Sequence, residues 1–212
     1  MSAVSIYALK PRFQALLRPL AGVLARSGVT ANQVTVAAAA VSVALGAYVA
    51  WRAPAAGPFL AIPAWMFVRM AMNALDGMLA REFGQKSALG AYLNELGDVV
   101  ADAALYLPFA FVDPFAPGWV ATVIVLSAIS EHAGVLGLGI GASRRYDGPL
   151  GKSDRAFAFG ALALWLGATG ALPAWLWAAP FALAFLLALT AANRVRAALA
   201  ETASLPPNGV AS

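Results

Sequence analysis

The stretch NALDGMLAREFGQKSALGAYLNELGD, residues 73–98, concentrates polar and charged side chains in one short window of a very apolar chain. Among them are Asn73, Asp76, Arg81, Asn94 and Asp98. Of the 212 residues, 61% are hydrophobic and only 11% are charged, whereas a soluble domain carries roughly 25% charged residues. Because ionisable groups at membrane depth are costly, such a window is expected to serve a function.

The composition of the whole chain predicts an integral membrane protein, since one core of this size cannot cover that much apolar surface. The chain has no cysteine, which excludes disulfide bonds and thiolate metal sites. Its formal net charge of +4 is typical of loops that face anionic lipid headgroups. We therefore expect membrane lipids, and no nucleic acid, as partners.

Stretches long enough to cross a bilayer, about 20 apolar residues, predict six transmembrane helices. The predicted spans are residues 34–51, 58–81, 88–112, 118–141, 156–170 and 173–192. Ahead of them, residues 5–27 place apolar side chains on one helical face, which predicts an N-terminal amphipathic helix in the membrane interface. A solvated basic arm is the alternative for that segment. The expected fold class is thus an all-α integral membrane protein with six spans after an interfacial helix.

One membrane domain is predicted over residues 1–200, with the interfacial helix and linker in 1–29 and the six-span bundle in 30–200. Residues 201–212 are predicted to form a disordered tail. Twelve of the 14 lysines and arginines fall on one side of this threading, while Arg52 falls on the other side and Arg69 lies inside the second span. The positive-inside rule then places both termini and the polar window on the cytoplasmic side.

Helical spacing brings the polar side chains of the window together. Asn73 and Asp76 share a face of the second span. The third span carries a stripe with one residue at every fourth position, formed by Gly90, Asn94, Asp98 and Asp102. Carboxylate and amide oxygens suit hard divalent cations such as Mg²⁺ or Mn²⁺, and paired metals are a recurring device in phosphoryl chemistry.

Two other readings of the same residues stay open at this point. Asp76 and Asp98 could form structural ion pairs with Arg81 and Arg69, while the asparagines bind neighbouring helices. An ion or proton path is the third possibility. A transporter or channel is disfavoured because the polar stripe stays in one half of the membrane.

The window resembles the signature of the class I CDP-alcohol phosphotransferase family, Asp-x-x-Asp-Gly-x-x-Ala-Arg, eight residues, then Gly-x-x-x-Asp-x-x-x-Asp. The corresponding positions here are Asn73, Asp76, Gly77, Ala80, Arg81, Gly90, Asn94 and Asp98. Every spacing agrees. The segment GVTANQVT, residues 28–35, is similar to the family's Pro-Asn-x-x-Thr entry, with Ala31 in place of the proline.

The resemblance implies transfer of a phosphatidyl or phosphoalcohol group from a CDP-linked lipid, taken as CDP-diacylglycerol, to a hydroxyl acceptor in phospholipid synthesis, with release of CMP. It implies two Mg²⁺ or Mn²⁺ ions held by Asn73, Asp76, Asn94 and Asp98, with Asp98 as the catalytic base. The implied CDP contacts are Gly77, Ala80, Arg81, Ser87, Gly90, Asn32 and Thr35. A homodimer in a bacterial inner membrane is the expected setting.

The chain departs from the signature at Asn73 and Asn94, which replace two aspartates. An amide oxygen can bind a hard cation, but it brings no negative charge. Three readings follow: Asp102 or Glu95 helps to hold the metals, the second metal arrives with the substrate, or the chain is a catalytically impaired protein that still binds the nucleotide-lipid.

The loop GASRRYDGPLGKSDR, residues 141–155, predicts a cationic rim for a phosphate of the donor or of a phosphorylated acceptor. Its basic residues are Arg144, Arg145, Lys152 and Arg155. Ordinary positive-inside anchoring is the alternative reading. Glu131, in the middle of the fourth span, is expected to bind acceptor hydroxyls or to pair with Arg69. The rim favours a phosphorylated acceptor, but the sequence does not identify the acceptor alcohol.

Overall fold

The computed structural model describes residues 9–204, with side chains described from residue 13 onward. Within that range the chain forms α-helices and short 3₁₀-helices and contains no strand, which confirms the predicted all-α class. The α-helices are α1 (Leu9–Arg26), α2 (Ala31–Arg52), α3 (Ala61–Glu82), α4 (Ala88–Tyr106), α5 (Pro117–Gly139), α6 (Lys152–Thr169) and α7 (Ala179–Ser204). The 3₁₀-helices are Gly57–Leu60, Leu107–Phe111 and Ala174–Ala178.

Four of the helical segments are long and apolar enough to cross a membrane: Ala31–Arg52, Gly57–Glu82, Pro117–Gly139 and Ala174–Ser204. The chain is therefore an integral membrane protein. The two other helices of the predicted six spans, α4 and α6, have 19 and 18 residues, and each carries three charged side chains. Those charges lower the mean hydropathy of the two helices, so a bilayer crossing by α4 and α6 stays a prediction.

The first helix packs on α3. The rings of Phe13 and Phe67 meet edge to face, with centroids 6.4 Å apart, and Arg18 forms an ion pair with Glu82 at 3.0 Å. The amphipathic helix was expected over residues 5–27, and the part before residue 9 lies outside the described residues. These contacts place α1 alongside α3, and its position in the membrane interface stays a prediction.

Capping side chains define where α2 and α4 begin. Thr30 accepts a hydrogen bond from the backbone N–H of Gln33, whose side chain accepts one from the N–H of Thr30. Ser87 caps α4 in the same manner by accepting from the N–H of Gly90 at 2.9 Å. Such caps satisfy backbone donors that a helix start leaves free. Both helices begin beside the end of α3, since Ala31 donates to Gln85 and α4 follows α3 after a short connection. We call this the polar end of the bundle.

The opposite end holds an apolar core. Tyr106 and Phe159 stack at 3.9 Å between ring centroids, and Phe109 packs edge to face on Phe59 and on Phe159. Close contact between α2 and α4 depends on Gly46, because a Cβ atom there would lie 2.1 Å from the carbonyl oxygen of Ala104. This core positions the helices whose other ends form the polar site.

The segment between α5 and α6 folds back onto α5 and α7. The backbone N–H of Arg145 donates to the carbonyl oxygen of Gly134 at 3.0 Å. Glu201 accepts hydrogen bonds from the backbone N–H and the hydroxyl of Ser143. Because Glu201 is held in this way, α7 continues to Ser204, so residues 201–204 of the predicted disordered tail are helical. Residues 205–212 of that tail lie outside the described residues.

Replacing Gly46 with alanine should destabilise the protein by about 1–3 kcal/mol, because the new methyl group would overlap the backbone of α4. Gly97→Ala is the matched control, since its Cβ would meet Ala39 and Thr35 at ordinary distances of 3.6 and 3.9 Å. Thermal unfolding in detergent micelles should show a lower midpoint for Gly46→Ala alone. Equal midpoints for the two variants would contradict the close approach of α2 and α4.

Candidate active site

A cavity of about 670 Å³ opens between the starts of α2 and α4 and the end of α3. The sequence motif therefore forms one continuous surface in space, although its parts lie on three helices. Ten of the predicted site residues line the cavity: Asn32, Thr35, Asn73, Asp76, Gly77, Ala80, Arg81, Ser87, Gly90 and Asn94.

Five further residues also line the cavity, and the sequence did not predict any of them as a site residue. They are Ala31, Gln85, Lys86, Ala88 and Ala91. Gln85 accepts from the backbone N–H of Ala31 at 2.6 Å and donates to the carbonyl oxygen of Val29 at 3.4 Å. It thereby ties the α3–α4 connection to the start of α2. Gln85 and Lys86 fall in the eight-residue spacer that the signature leaves undefined, so the pattern gave no signal for them.

The two motif glycines allow close approaches inside the cavity wall. A Cβ atom at Gly90 would lie 2.7 Å from the side-chain oxygen of Asn32 and 3.0 Å from the hydroxyl of Ser87. A Cβ atom at Gly77 would lie 2.8 Å from the guanidinium of Arg81. Since these neighbours all face the cavity, a methyl group at either position would displace a polar side chain from its wall.

Asp76 is a buried carboxylate whose orientation depends on α2. Its Oδ2 accepts a hydrogen bond from the hydroxyl of Thr35 at 2.8 Å. The same hydroxyl group shares its proton with the carbonyl oxygen of Ala31, 3.1 Å away. Thr35, predicted as a nucleotide contact, therefore also positions the motif carboxylate.

Asp98 lies beside the cavity and is held by groups from two other helices. Arg69 on α3 contacts its Oδ1 at 2.9 Å, and the amide of Asn73 donates to the same oxygen at 3.3 Å. Lys152, the first residue of α6, forms an ion pair with the other oxygen. The ion pair between Asp98 and Arg69 that the sequence offered as an alternative is thus present, but it adjoins a large polar cavity.

A chain of ion pairs continues from Asp98 into the protein interior. Arg69 reaches Asp102 at 2.5 Å, and Arg155 reaches Asp102 at 3.3 Å and Glu131 at 3.0 Å. We call this the inner ion-pair network. Its members are Arg69, Glu95, Asp98, Asp102, Glu131, Arg144, Lys152, Arg155 and Arg194.

Glu131 does not pair with Arg69, as the sequence suggested, but lies among three other guanidiniums. The distances are 3.0 Å to Arg155, 3.4 Å to Arg194 and 3.8 Å to Arg144. The reason is the packing of α5 against α7 and α4, which turns Glu131 away from α3. The sequence did not predict Arg194 as a site residue, because an arginine just after a predicted apolar span is the ordinary pattern of membrane anchoring.

The four basic residues of the predicted rim separate in space. Lys152 and Arg144 join the accessible edge of the inner network, whereas Arg155 is 1% exposed and lies inside it. Arg145 pairs with Asp147 at 2.8 Å and with Glu201 at 2.5 Å. Its guanidinium holds the pKa of Asp147 below the usual range. Arg145 thus holds the loop between α5 and α6, whereas the other three basic residues of the rim belong to the inner ion-pair network.

The oxygen donors at the cavity suit a hard divalent cation in kind. Asp76 and Asp98 are its carboxylates, and Asn73 and Asn94 supply amide oxygens. Within residues 9–204 there is no group of three or more aspartate, glutamate, histidine or cysteine side chains arranged to hold a metal. Only these two carboxylates bring negative charge, and Asp98 is already paired with Arg69 and Lys152, so the donor set fits one ion better than two.

Comparison with known proteins identifies the family. The family model for CDP-alcohol phosphatidyltransferase matches residues 28–192. The chain belongs to the CDP-alcohol phosphatidyltransferase family. A curated relative, "Inner membrane protein YnbA" of Escherichia coli (strain K12), is 43% identical over 210 residues, which cover 95% of this chain and 100% of that protein.

Two solved structures have the same fold as this chain. Both are of Mycobacterium tuberculosis phosphatidylinositol phosphate synthase (PgsA1). The complex with manganese and citrate has a TM-score of 0.72 and 21% identity, covering 92% of this chain and 91% of that one. The structure with CDP-DAG bound has a TM-score of 0.69 and 22% identity, covering 92% and 96%.

Replacing Asp102 with alanine should destabilise the protein by about 3–5 kcal/mol, because Arg69 and Arg155 would lose a shared buried partner. Asp147→Ala removes a carboxylate from an exposed ion pair and should cost at most about 1 kcal/mol. Thermal unfolding in detergent compares the two variants. A similar small loss for both would show that the interior charges are not tightly coupled.

Proposed function

We propose that this protein transfers a phosphatidyl group from CDP-diacylglycerol to the hydroxyl of an acceptor and releases CMP, as a step of phospholipid synthesis. The observation that carries the proposal is the cavity whose wall is formed by the family's motif residues and which Asp98 adjoins. Family membership supports transferase chemistry, and a member of the same fold has been solved with CDP-DAG bound.

The cavity has the size and polarity for the nucleotide part of the donor. Its volume of about 670 Å³ lies within the range of small-molecule sites, about 300–1,000 Å³. Arg81 and Lys86 supply positive charge for phosphates, and Asn32 supplies an amide for hydrogen bonds. Thr35, Gly77, Ala80, Ser87 and Gly90 complete the proposed CDP contacts.

A divalent cation, Mg²⁺ or Mn²⁺, is part of the proposal. Asn73, Asp76, Asn94 and Asp98 would hold it, and a cation bound there would offset the negative charge of the donor phosphates. Because the two asparagines add no charge, we propose that the protein binds one ion by itself and gains a second only with the donor.

Asp98 is proposed to remove the proton from the acceptor hydroxyl. The hydroxyl oxygen then bonds to the phosphatidyl phosphorus, the bond from that phosphorus to the CMP oxygen breaks, and CMP leaves with the bonding electrons. Arg69 and Asn73 fix the direction of the carboxylate, and Lys152 pairs with its second oxygen. General-base catalysis of this kind contributes typically about 10²–10⁴-fold to a rate.

We further propose that the site faces the cytoplasm from a bacterial inner membrane, as the distribution of basic residues predicts. A homodimer also stays a prediction. The second candidate function is binding of the nucleotide-lipid without catalysis. Asn73 and Asn94 favour it, because they replace two aspartates of the motif.

Release of CMP from CDP-diacylglycerol by the purified protein tests this proposal. With Mg²⁺ or Mn²⁺ and a pool of alcohols, we expect release that EDTA abolishes and that Asp98→Asn lowers by at least about 100-fold. Asp147→Asn, in the exposed loop, is the matched control and should keep normal release. Saturable binding of CDP-diacylglycerol without any CMP release would instead establish the second candidate.

Direct Mn²⁺ binding tests the proposed charge balance without depending on turnover. Electron paramagnetic resonance should detect about one bound Mn²⁺ per chain without substrate, because Asp76 and Asp98 are the only carboxylates in the proposed donor set. Asp76→Asn should weaken that binding strongly, whereas Asp147→Asn should leave it unchanged. Two tightly bound ions in the absence of donor would contradict the proposed effect of Asn73 and Asn94.

A further inference from the structure

The basic side chains next to the proposed catalytic base are already paired with carboxylates of the chain itself. Lys152 pairs with Asp98, and Arg144 pairs with Glu95 and with Glu131. Arg155 pairs with Asp102 and Glu131. The cationic rim that the sequence predicted is thus an internally balanced network in which each cation has an anionic neighbour.

From this balance we infer that the acceptor is a hydroxyl compound without a phosphate group, and that Glu131 and Glu95 determine this specificity. The inference rests on the proposed transferase function. It reverses the expectation from the sequence, in which the rim favoured a phosphorylated acceptor.

Glu131 occupies the position that an anionic ligand would need. Glu131 is 9% exposed, and three guanidiniums surround its carboxylate at 3.0–3.8 Å. Three converging arginines are a typical arrangement for phosphate recognition. Here the carboxylate of Glu131 already pairs with the three arginines, in the place that a phosphate would occupy.

The charge count of the inner network limits how much negative charge the network could accept. Five cations, Arg69, Arg144, Lys152, Arg155 and Arg194, face the four carboxylates Glu95, Asp98, Asp102 and Glu131. The surplus is one positive charge. A phosphate monoester carries about −1.5 to −2 charges near neutral pH, and it would enter beside partly buried carboxylates. That negative charge exceeds the surplus, and repulsion from the neighbouring carboxylates is strong in such surroundings, so an uncharged alcohol is favoured.

The accessible edge of the network indicates where such an alcohol would bind. The side chains of Glu95, Arg144 and Lys152 are 29%, 26% and 32% exposed, whereas those of Arg155 and Arg194 are at most 2% exposed. The Nε atom of Arg144 is buried and has no hydrogen-bond partner within the described residues. Hydroxyl groups can donate to Glu95 and accept from Arg144 without bringing charge.

The test measures which product lipids form from pairs of acceptors. Purified protein receives CDP-diacylglycerol with glycerol, inositol or serine, each in competition with its own phosphate monoester, and mass spectrometry identifies the lipids. We expect the acceptor without phosphate to be preferred at least tenfold in kcat/KM. Preference for a phosphate monoester, together with CMP release, would overturn the inference and leave the transferase function intact. Absence of CMP release in every arm would overturn the transferase function itself.

Two substitutions test the assignment to individual carboxylates. Glu131→Gln and Glu95→Gln should each raise the preference for the phosphate monoester at least tenfold, because each removes one negative charge while keeping the shape. Glu201→Gln, which removes the partner of Arg145 on the outer loop, is the matched control and should not change the ratio. Glu95 lies at the accessible edge, so its variant supplies the test even where Glu131→Gln does not fold. If a folded Glu95→Gln variant kept the same preference between the alcohol and its phosphate monoester, the proposed role of Glu95 in specificity would be overturned.

Discussion

Asp98 lies between two cations that come from different helices, Arg69 of α3 and Lys152 at the start of α6. A carboxylate in the interior of a membrane protein is costly unless it is paired. These pairings allow α4 to carry Asp98 and Asp102 into the bundle, and they bind α3, α4 and α6 to one another. The cavity at the polar end exists because those three helices and α2 are held in this arrangement.

The charges along this continuous path fall into two groups. At the cavity, amides at Asn73 and Asn94 leave Asp76 and Asp98 as the carboxylates for a cation. Beyond Asp98, the additional carboxylates Glu95 and Glu131 neutralise arginines that could otherwise receive a phosphate. Under the proposed function, negative charge is thus reduced where the donor binds and increased where the acceptor binds.

Much of this arrangement could be predicted from the sequence, because helical spacing and a long motif place residues on known faces. The cavity wall contains Asn32, Gly90 and Asn94 as the motif implied. The hydrogen bond between Thr35 and Asp76 joins positions 41 residues apart and depends on how α2 packs on α3. Spacing within a single helix carries no information about such a contact.

The partners of the buried charges could not be predicted for the same reason. Glu131 could have reached any of several arginines, and the packing of α5 against α7 selects Arg194 instead of Arg69. Arg145 is adjacent to Arg144 in sequence, yet the fold of the loop directs it to Asp147 and Glu201. A charge pattern predicts which side chains need partners, and the tertiary structure decides which partners they obtain.

The central claim is that the motif cavity beside Asp98 is the site of the CDP-linked donor and its cation. The most direct measurement is a crystal structure of the protein with CDP-diacylglycerol and Mn²⁺, with the metal located by anomalous scattering. The account predicts cytidine in the cavity near Asn32 and Arg81, and manganese in contact with Asp76 and Asp98. Nucleotide bound elsewhere, or manganese away from both carboxylates, would contradict it.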